Sequence, residues 1–346
     1  MREQTESSFS VVIPARNAGV DLAQCLAAVR RAFGTSAECI VVDDGSTDRT
    51  AAVARAAGAE VVSLPLSSGA AAARNLGAQM ATREVLVFID ADCAPHRDAA
   101  RRLRAIFRDP DVDAVVGAYD ERPAARGIVS RFRNLLHAYT HQTAGPAGST
   151  FWTGCGAIRR RVFLEGGGFS ESWRYMEDVE FGQRLRDRGG RIRFDASVRV
   201  CHLKRWTLLS MIDTDVLRRA VPWTLLLLSR RRVPNVLNLR HSQKASVVLV
   251  LLAVLLAAAS FSVTELLAGV PVCLALIALL NRHFYAFVRR VDSPIVALAA
   301  GPLHLVYFLS AATGLAIGCA EYAIESARSR GRARKEPGVS GAAAAV

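Results

Sequence analysis

Val85-Leu86-Val87-Phe88-Ile89-Asp90-Ala91-Asp92 runs β-branched and aromatic residues straight into two carboxylates one residue apart. An apolar run of this length without a polar break describes a strand covered on both faces, as in parallel sheets. Two earlier stretches have the same form: Phe9-Ser10-Val11-Val12-Ile13-Pro14, and Cys39-Ile40-Val41-Val42, which ends in Asp43-Asp44-Gly45-Ser46-Thr47-Asp48. Strands are expected at 9–13, 39–42, 60–64, 85–89, 112–119 and 191–200, with helical spacing between the first five at 20–33, 47–57, 70–81 and 98–107 and a helix at 177–188. Alternation of this kind predicts an α/β domain, a Rossmann-like and mainly parallel sheet with covering helices. Ligands of such sheets bind where the strands end, which is where the acidic residues fall.

The residue types there suit a phosphorylated ligand. Carboxylates at Asp90 and Asp92 can face one cleft and hold a hard divalent cation, Mg2+ or Mn2+, against a diphosphate; a solvated turn is the plainer alternative. Asp43 and Asp44 can act on a ligand or form an Asx turn leading into a capped helix. Between these clusters, Ser68-Gly69-Ala70-Ala71-Ala72-Ala73-Arg74-Asn75-Leu76-Gly77 opens a helix. Its first amides suit an anion, and Arg74 could reach phosphate or orient an aspartate.

Taken in order, Val11-Val12-Ile13-Pro14-Ala15-Arg16-Asn17, Val41 to Asp48, Gly69 to Gly77 and Phe88 to Asp92 resemble the family 2 glycosyltransferases of the GT-A fold. The resemblance extends through Gly154-Cys155-Gly156-Ala157-Ile158-Arg159-Arg160, Gly167-Gly168-Phe169 and Met176-Glu177-Asp178-Val179-Glu180-Phe181-Gly182-Gln183-Arg184-Leu185, about residues 8–204 in all. It implies that Pro14, Ala15 and Asn17 line the base and ribose pocket and that Asp43 or Asp44 hydrogen-bonds the base or ribose. Arg74, Asp90 and Ala91 fall on the donor side, Asp92 and His202 at the metal, and Glu177 and Arg184 on the acceptor or phosphate side. For His202 an ordinary packed histidine is the competing reading. Asp178 matches the catalytic base: single-displacement inversion needs one carboxylate to take the acceptor's proton, although an acid at a helix start also stabilises the helix dipole.

The resemblance implies a UDP- or GDP-sugar donor. Processive polymer synthases of the family carry Gln-x-x-Arg-Trp; the counterpart here, His202-Leu203-Lys204-Arg205-Trp206, lacks the glutamine. A non-processive enzyme is therefore expected. A sugar-nucleotide nucleotidyltransferase would need a Gly-rich, Lys/Arg-bearing loop after the first strand, which Pro14-Ala15-Arg16-Asn17-Ala18-Gly19 does not supply. A non-catalytic membrane scaffold of the same fold is the remaining alternative, and the intact Asp90, Asp92 and Asp178 speak against it.

The rest of the 346 residues reads differently. Residues 245–280 carry only Glu265 as a charge and residues 294–320 carry none, against roughly 20 apolar residues needed to cross a bilayer. Residues 230–346 hold 13 Lys/Arg against 5 Asp/Glu, so +8 of the net +13 flanks these stretches. Such placement suits anionic lipid, and no nucleic-acid motif accompanies it. Seven cysteines without a C-x-x-C pair fit a reduced compartment, and the polar residues 1–8 do not read as a signal peptide. The expected organisation is a catalytic domain over 1–205, an amphipathic interfacial linker over 206–244, two to three membrane spans over 245–320 and a basic disordered tail over 321–346. The third span is the segment that Gly301-Pro302 could break. A multi-pass protein of the cell membrane follows, its catalytic domain cytosolic and its acceptor a glycolipid or a polyprenyl-linked molecule met at the membrane.

Overall fold

The computed structural model describes residues 8–143, 150–230 and 239–335. Residues 1–7, 144–149, 231–238, with Arg231 and Arg232 among them, and 336–346 lie outside the described residues.

The N-terminal part is built as β1 (Phe9–Ala15), α1 (Gly19–Phe33), β2 (Glu38–Asp44), α2 (Thr50–Ala56), β3 (Glu60–Leu64), α3 (Ala70–Met80), β4 (Val85–Phe88), β5 (Cys93–Pro95), α4 (Ala99–Phe107), β6 (Ala114–Tyr119), α5 (Ile128–Gln142), β7 (Gly156–Arg159), α6 (Arg160–Glu165), α7 (Glu177–Asp187) and β8 (Ile192–His202). They form one sheet in the order β3-β2-β1-β4-β7-β6-β8-β5. β1, β2, β3 and β4 pair in parallel, and so do β6 and β8, while β7 runs antiparallel between β4 and β6 and β5 antiparallel to β8. The expected strands are present with slightly shifted ends. β5 and β7 are additional, because runs of three and four residues are too short for periodicity to mark.

The apolar runs read from the sequence line both faces of the sheet: Val11, Ile13, Val41 and Val87 pack under α1, and Val12, Val42, Leu86 and Phe88 under α3 and α7. Close approach depends on glycine. A Cβ on Gly77 would lie 2.4 Å from Val12 Cγ1, and one on Gly182 would lie 2.0 Å from the Phe151 nitrogen. α3 therefore seats directly against strand side chains and α7 against loop backbone, and the helices' first turns reach the strand ends.

The C-terminal part comprises α8 (Leu208–Asp213), a π-helical stretch Thr214–Ala220, α9 (Val221–Arg230), α10 (His241–Ala259), α11 (Gly269–Leu280), α12 (Arg282–Val291) and α13 (Pro294–Lys335). α10 and residues Pro294–Arg328 of α13 are each long and apolar enough to cross a membrane. α11 and α12 meet at a 64° bend, so a third span exists only if that bent pair counts as one. The break falls at Asn281, whose side chain is held by Ser246 and Gln243 of α10. It does not fall at Gly301-Pro302, which α13 passes through unbroken; a proline deep in a membrane helix is tolerated when neighbours satisfy the freed carbonyl. α13 also continues as helix through Lys335, where a disordered tail is expected from 321. The tail's Ala, Glu and Arg are good helix formers, and a preformed helix removes the cost of nucleating one.

The 206–230 segment, expected as an interfacial linker, packs on the sheet domain. Arg230 pairs with Glu180 and Asp187 of α7, and the fully buried Arg133 of α5 pairs with Asp215. α5 contributes Phe132, Leu135 and Leu136 to a core shared with Trp206, Met211, Ile277, Phe284 and Phe308. The sheet and the apolar helices are thus joined through α5.

Candidate functional site

At the end of β4 the chain turns through Asp90-Ala91-Asp92 and re-pairs at once as β5. Ala91 is buried in that turn, and the two aspartate side chains stay about a third exposed. Asp90 Oδ1 accepts from Arg74 Nη2 at 2.7 Å, and Arg74 Nη1 donates to Glu177 Oε1 at 2.6 Å. Of the two roles open to Arg74, its buried guanidinium fills the second: it orients an aspartate and ties α3 to α7. Glu177, expected to face the acceptor or phosphate, faces Arg74 instead, because the close seating of α7 turns its first residue inward.

β5 and β8 bring Cys93 opposite His202, and with it Asp92 to 3.6 Å from His202 Nε2. His202 Nδ1 lies 2.7 Å from Asn134 Oδ1 of α5, and Trp206 Nε1 donates to the same oxygen at 3.3 Å. An indole N–H can only donate, which fixes the amide's orientation; Nδ1 of His202 is then protonated, and Nε2 is the nitrogen that faces Asp92. Burial works to raise the Asp92 carboxyl, but His202, by hydrogen bond and charge, and Lys204 hold it below its usual range. Ligand atoms of Asp92, Cys93 and His202 lie within 4.8 Å of one another. Burial, followed by the charges of Asp92 and Asp90, pushes the Cys93 thiol well up. It stays protonated and directs its S–H at Asp92 Oδ1, 3.7 Å away. A carboxylate and an imidazole fit Mg2+ or Mn2+, which leaves most of its coordination to water and phosphate; the thiol is not part of that set.

On the far side of β1, Ala15 pairs with Asp43, and Pro14 and Ala15 present strand-end backbone to the cleft. Asn17 adopts φ 50°, accepts from the Thr47 amide at 2.9 Å, and its own amide donates to Ser46 Oγ. Asp44 is fully engaged by Ser67 Oγ and the Ser68 and Gly69 amides, so it fixes the start of α3. Asp43 spends only Oδ1, on the Ser46 amide; among the described residues no donor meets its other oxygen. Of the pair left open by the sequence, Asp43 is the one with capacity for a ligand.

Met176 stands before α7 at φ 65°, a left-handed conformation costly for a side chain of that size. It aims Asp178 back toward the sheet, where the Thr153 amide and hydroxyl both reach Oδ2, at 3.2 and 3.3 Å. Burial first, then the neighbouring Glu177, pushes the Asp178 carboxyl up to about 7, with Arg74 and the Thr153 amide opposing. An acid poised there can exchange a proton near neutrality. Arg184 is not brought to the site. It donates to the Gly166 and Gly168 carbonyls and pairs with Glu180, stapling the Gly166–Gly168 turn two helical turns away from Asp178.

Thr153, Asn134 and Tyr119, whose ring stacks on His202 at 4.5 Å, escaped the sequence reading. A signal for one of them existed: Ser130, Asn134, His137 and His141 form a polar stripe at helical spacing along α5, facing the sheet rather than solvent.

Residues 10–167 match the family model "Glycosyl transferase family 2". The chain is 30% identical over 202 residues to a pre-mycofactocin glycosyltransferase of Mycobacterium tuberculosis, covering 56% of this chain and 42% of that relative. It is 28% identical to glycosyltransferase AglE of Haloferax volcanii over 209 residues, 57% of this chain and 67% of that one. The chain thus spans less than half the length of the first of these curated relatives. A mannosyltransferase of Pyrobaculum calidifontis, solved in complex with GDP-Man and Mn2+, superposes with a TM-score of 0.52 at 20% identity, covering 90% of this chain and 88% of that one. With the expected motifs gathered at the sheet's strand ends, the N-terminal domain belongs to glycosyltransferase family 2 and has the GT-A fold.

Proposed function

We propose that the chain is an inverting, metal-dependent glycosyltransferase that moves one sugar per encounter from a UDP- or GDP-sugar to a hydroxyl of a membrane-associated acceptor, a glycolipid or a polyprenyl-linked molecule. The observation that carries this is a single connected array. Asp178, poised near neutrality, adjoins Glu177, which is joined through Arg74 to Asp90, one residue from the Asp92–His202 pair. A bound Mg2+ or Mn2+, held by Asp92 and His202, would neutralise the charge that gathers on the departing diphosphate. Asp43 and the Asn17 turn would take the base and ribose. Asp178 would accept the acceptor's proton, with Thr153 holding the carboxylate in place.

Two observations support the finer points. Trp206 is buried against Arg133, Lys204 and His202, so it does not present a ring on which a growing polymer could stack. α10 and α13 expose Val254, Leu255, Ile295 and Leu298 outward, the surface a bilayer would cover; a multi-pass protein accounts for it, with the catalytic domain taken to be cytosolic. GDP-Man and Mn2+ in the mannosyltransferase of like fold agree with a nucleotide-sugar donor. Calorimetry of UDP and GDP against the full chain, with and without Mn2+, tests the donor side. Metal-dependent binding of one nucleotide is expected; no binding of either in Mn2+ would overturn the proposal.

A further inference from the structure

A cavity of about 380 Å³ lies between α9, α10, α13 and the π-helical stretch Thr214–Ala220, apart from the strand-end cleft. Its body is apolar, walled by Trp223, Leu227, Val248 and Phe308 among others, and two of its walls are the helices of membrane-spanning length. Its other end is charged. Asp215 and Arg219 line it from the π-helical stretch and Lys244 from α10.

That charged end is underused by the protein itself. Asp215 is 4% exposed, and one of its oxygens, Oδ2, has no protein partner; the fully buried Arg133 that pairs with Oδ1 leaves Nε and Nη1 without partners as well. Arg219 Nη1 lies 3.4 Å from Asp215 Oδ1 and 3.3 Å from His137 Nε2. Arg133, Arg219 and Lys244 against one aspartate leave an excess of positive charge beside an apolar chamber. Buried charge in that state is costly unless a counter-charge completes it. Beyond His137 the stack of Tyr119 and His202 leads to Asp92, so an unbroken series of contacts joins Arg219 to the proposed transfer site.

We propose that this cavity binds the chain of a lipid whose head carries a phosphate, the phosphate meeting Arg219 and Lys244 and an adjoining head-group hydroxyl meeting Asp215. The proposal rests on the glycosyltransferase reading and names the acceptor's class: a phosphate-bearing lipid whose hydroxyl, beyond the phosphate, is glycosylated.

The test uses the full chain in phosphatidylcholine nanodiscs and hexadecyl phosphate brominated along its chain, with brominated hexadecanol and inorganic phosphate as controls. Bromine in the cavity should quench Trp223. Saturable quenching at least roughly tenfold tighter for the phosphate than for the alcohol is expected. It should be absent in Trp223→Phe and in the cavity-filling Ala311→Phe, and the preference should fall about tenfold in Arg219→Gln and in Lys244→Gln. Equal quenching by both amphiphiles, or quenching that survives Ala311→Phe, would mean a gap filled by bulk lipid and would overturn the proposal. UDP and GDP binding with Mn2+, measured on the same samples, shows that each variant is folded. It also separates the two readings: nucleotide bound without selective quenching refutes the cavity alone, while loss of nucleotide binding in the wild type refutes the enzyme.

Discussion

Replacing Asp178 by asparagine separates a catalytic base from a helix-capping acid, because the two roles predict opposite changes in stability. The Asp178 carboxyl is lifted from 3.8 to about 7, which costs the ionised form on the order of 4 kcal/mol. Asparagine keeps an oxygen for the Thr153 amide and hydroxyl and carries no charge to desolvate. The folded-state pKa lies above the unfolded one, so the penalty is absent below about pH 4, grows as pH rises and is complete above about pH 7. Asp178→Asn should therefore melt higher than wild type at about pH 8, by on the order of 5–10 °C, and the gap should close toward pH 4. Turnover should move the other way, falling by roughly 10²–10⁴-fold with nucleotide affinity in Mn2+ nearly unchanged. The wild-type rate should rise with pH along a limb centred near neutrality, and the variant's residual rate should lack that limb. Detergent-purified protein, a differential scan and a product assay from about pH 5 to 9 suffice. Near-normal turnover in the variant would remove Asp178 from the base role and favour an acceptor already ionised, such as a phosphate; a lower melting point at pH 8 would show that the acid serves the helix.

Glu177→Gln removes the neighbouring charge that, after burial, contributes most to lifting Asp178, so the limb in the rate profile should move to lower pH; an unmoved limb would mean that it belongs to another group. Asp92→Ala should make nucleoside diphosphate binding weak and insensitive to Mn2+ with the fold intact, and calorimetry giving equal, metal-independent affinity in both proteins would count against the metal site. Asn134→Leu removes the acceptor that sets the His202 tautomer and should weaken Mn2+ affinity roughly 10–100-fold, as loss of a ligand's supporting hydrogen bond does; metal titration checks it. Deleting residues 241–346 uncovers Phe132, Leu135 and Leu136 of α5, so the remainder should aggregate without detergent, and a monodisperse, soluble product would show that the sheet domain is self-contained.

The proposed donor half of the site is legible in the sequence because its chemistry is local. Asp43, Asp44, Asp90 and Asp92 each follow a buried run directly, and a strand end is also a cleft edge, so position along the chain already implied position in space. The acceptor half was legible only in part. Asp178 could be named from its motif, but the turning of Glu177 toward Arg74 depends on how closely α7 seats, which Gly182 settles against Phe151. Arg184 shows the same limit: one helix carries both residues, and six residues beyond Asp178 the face presented is that of the Gly166–Gly168 turn. Thr153 and Asn134 act only through partners distant in sequence, Asp178 and His202. No window of residues contains both ends of either contact.

Periodicity likewise found the apolar helices but not their relation to the sheet. α5 falls in the stretch 120–148, for which the sequence predicts no helix, and it presents a different chemistry on each side. Ser130, Asn134 and His137 face His202 and Trp206, whereas Phe132, Leu135 and Leu136 face the apolar C-terminal helices. A helix shared in this way transmits position. A shift of α12 or α13 against Phe132 is expected to move Asn134, and with it the ring of His202 beside Asp92. A soluble anchor would need no such element, since tethering alone is served by a flexible linker. The buried Arg133–Asp215 pair fits the same reasoning: replacing a buried ion pair with apolar residues is often neutral or stabilising, so stability alone does not account for it. Its place fits the proposed cavity, since it joins the lining residue Asp215 to the helix that carries Asn134.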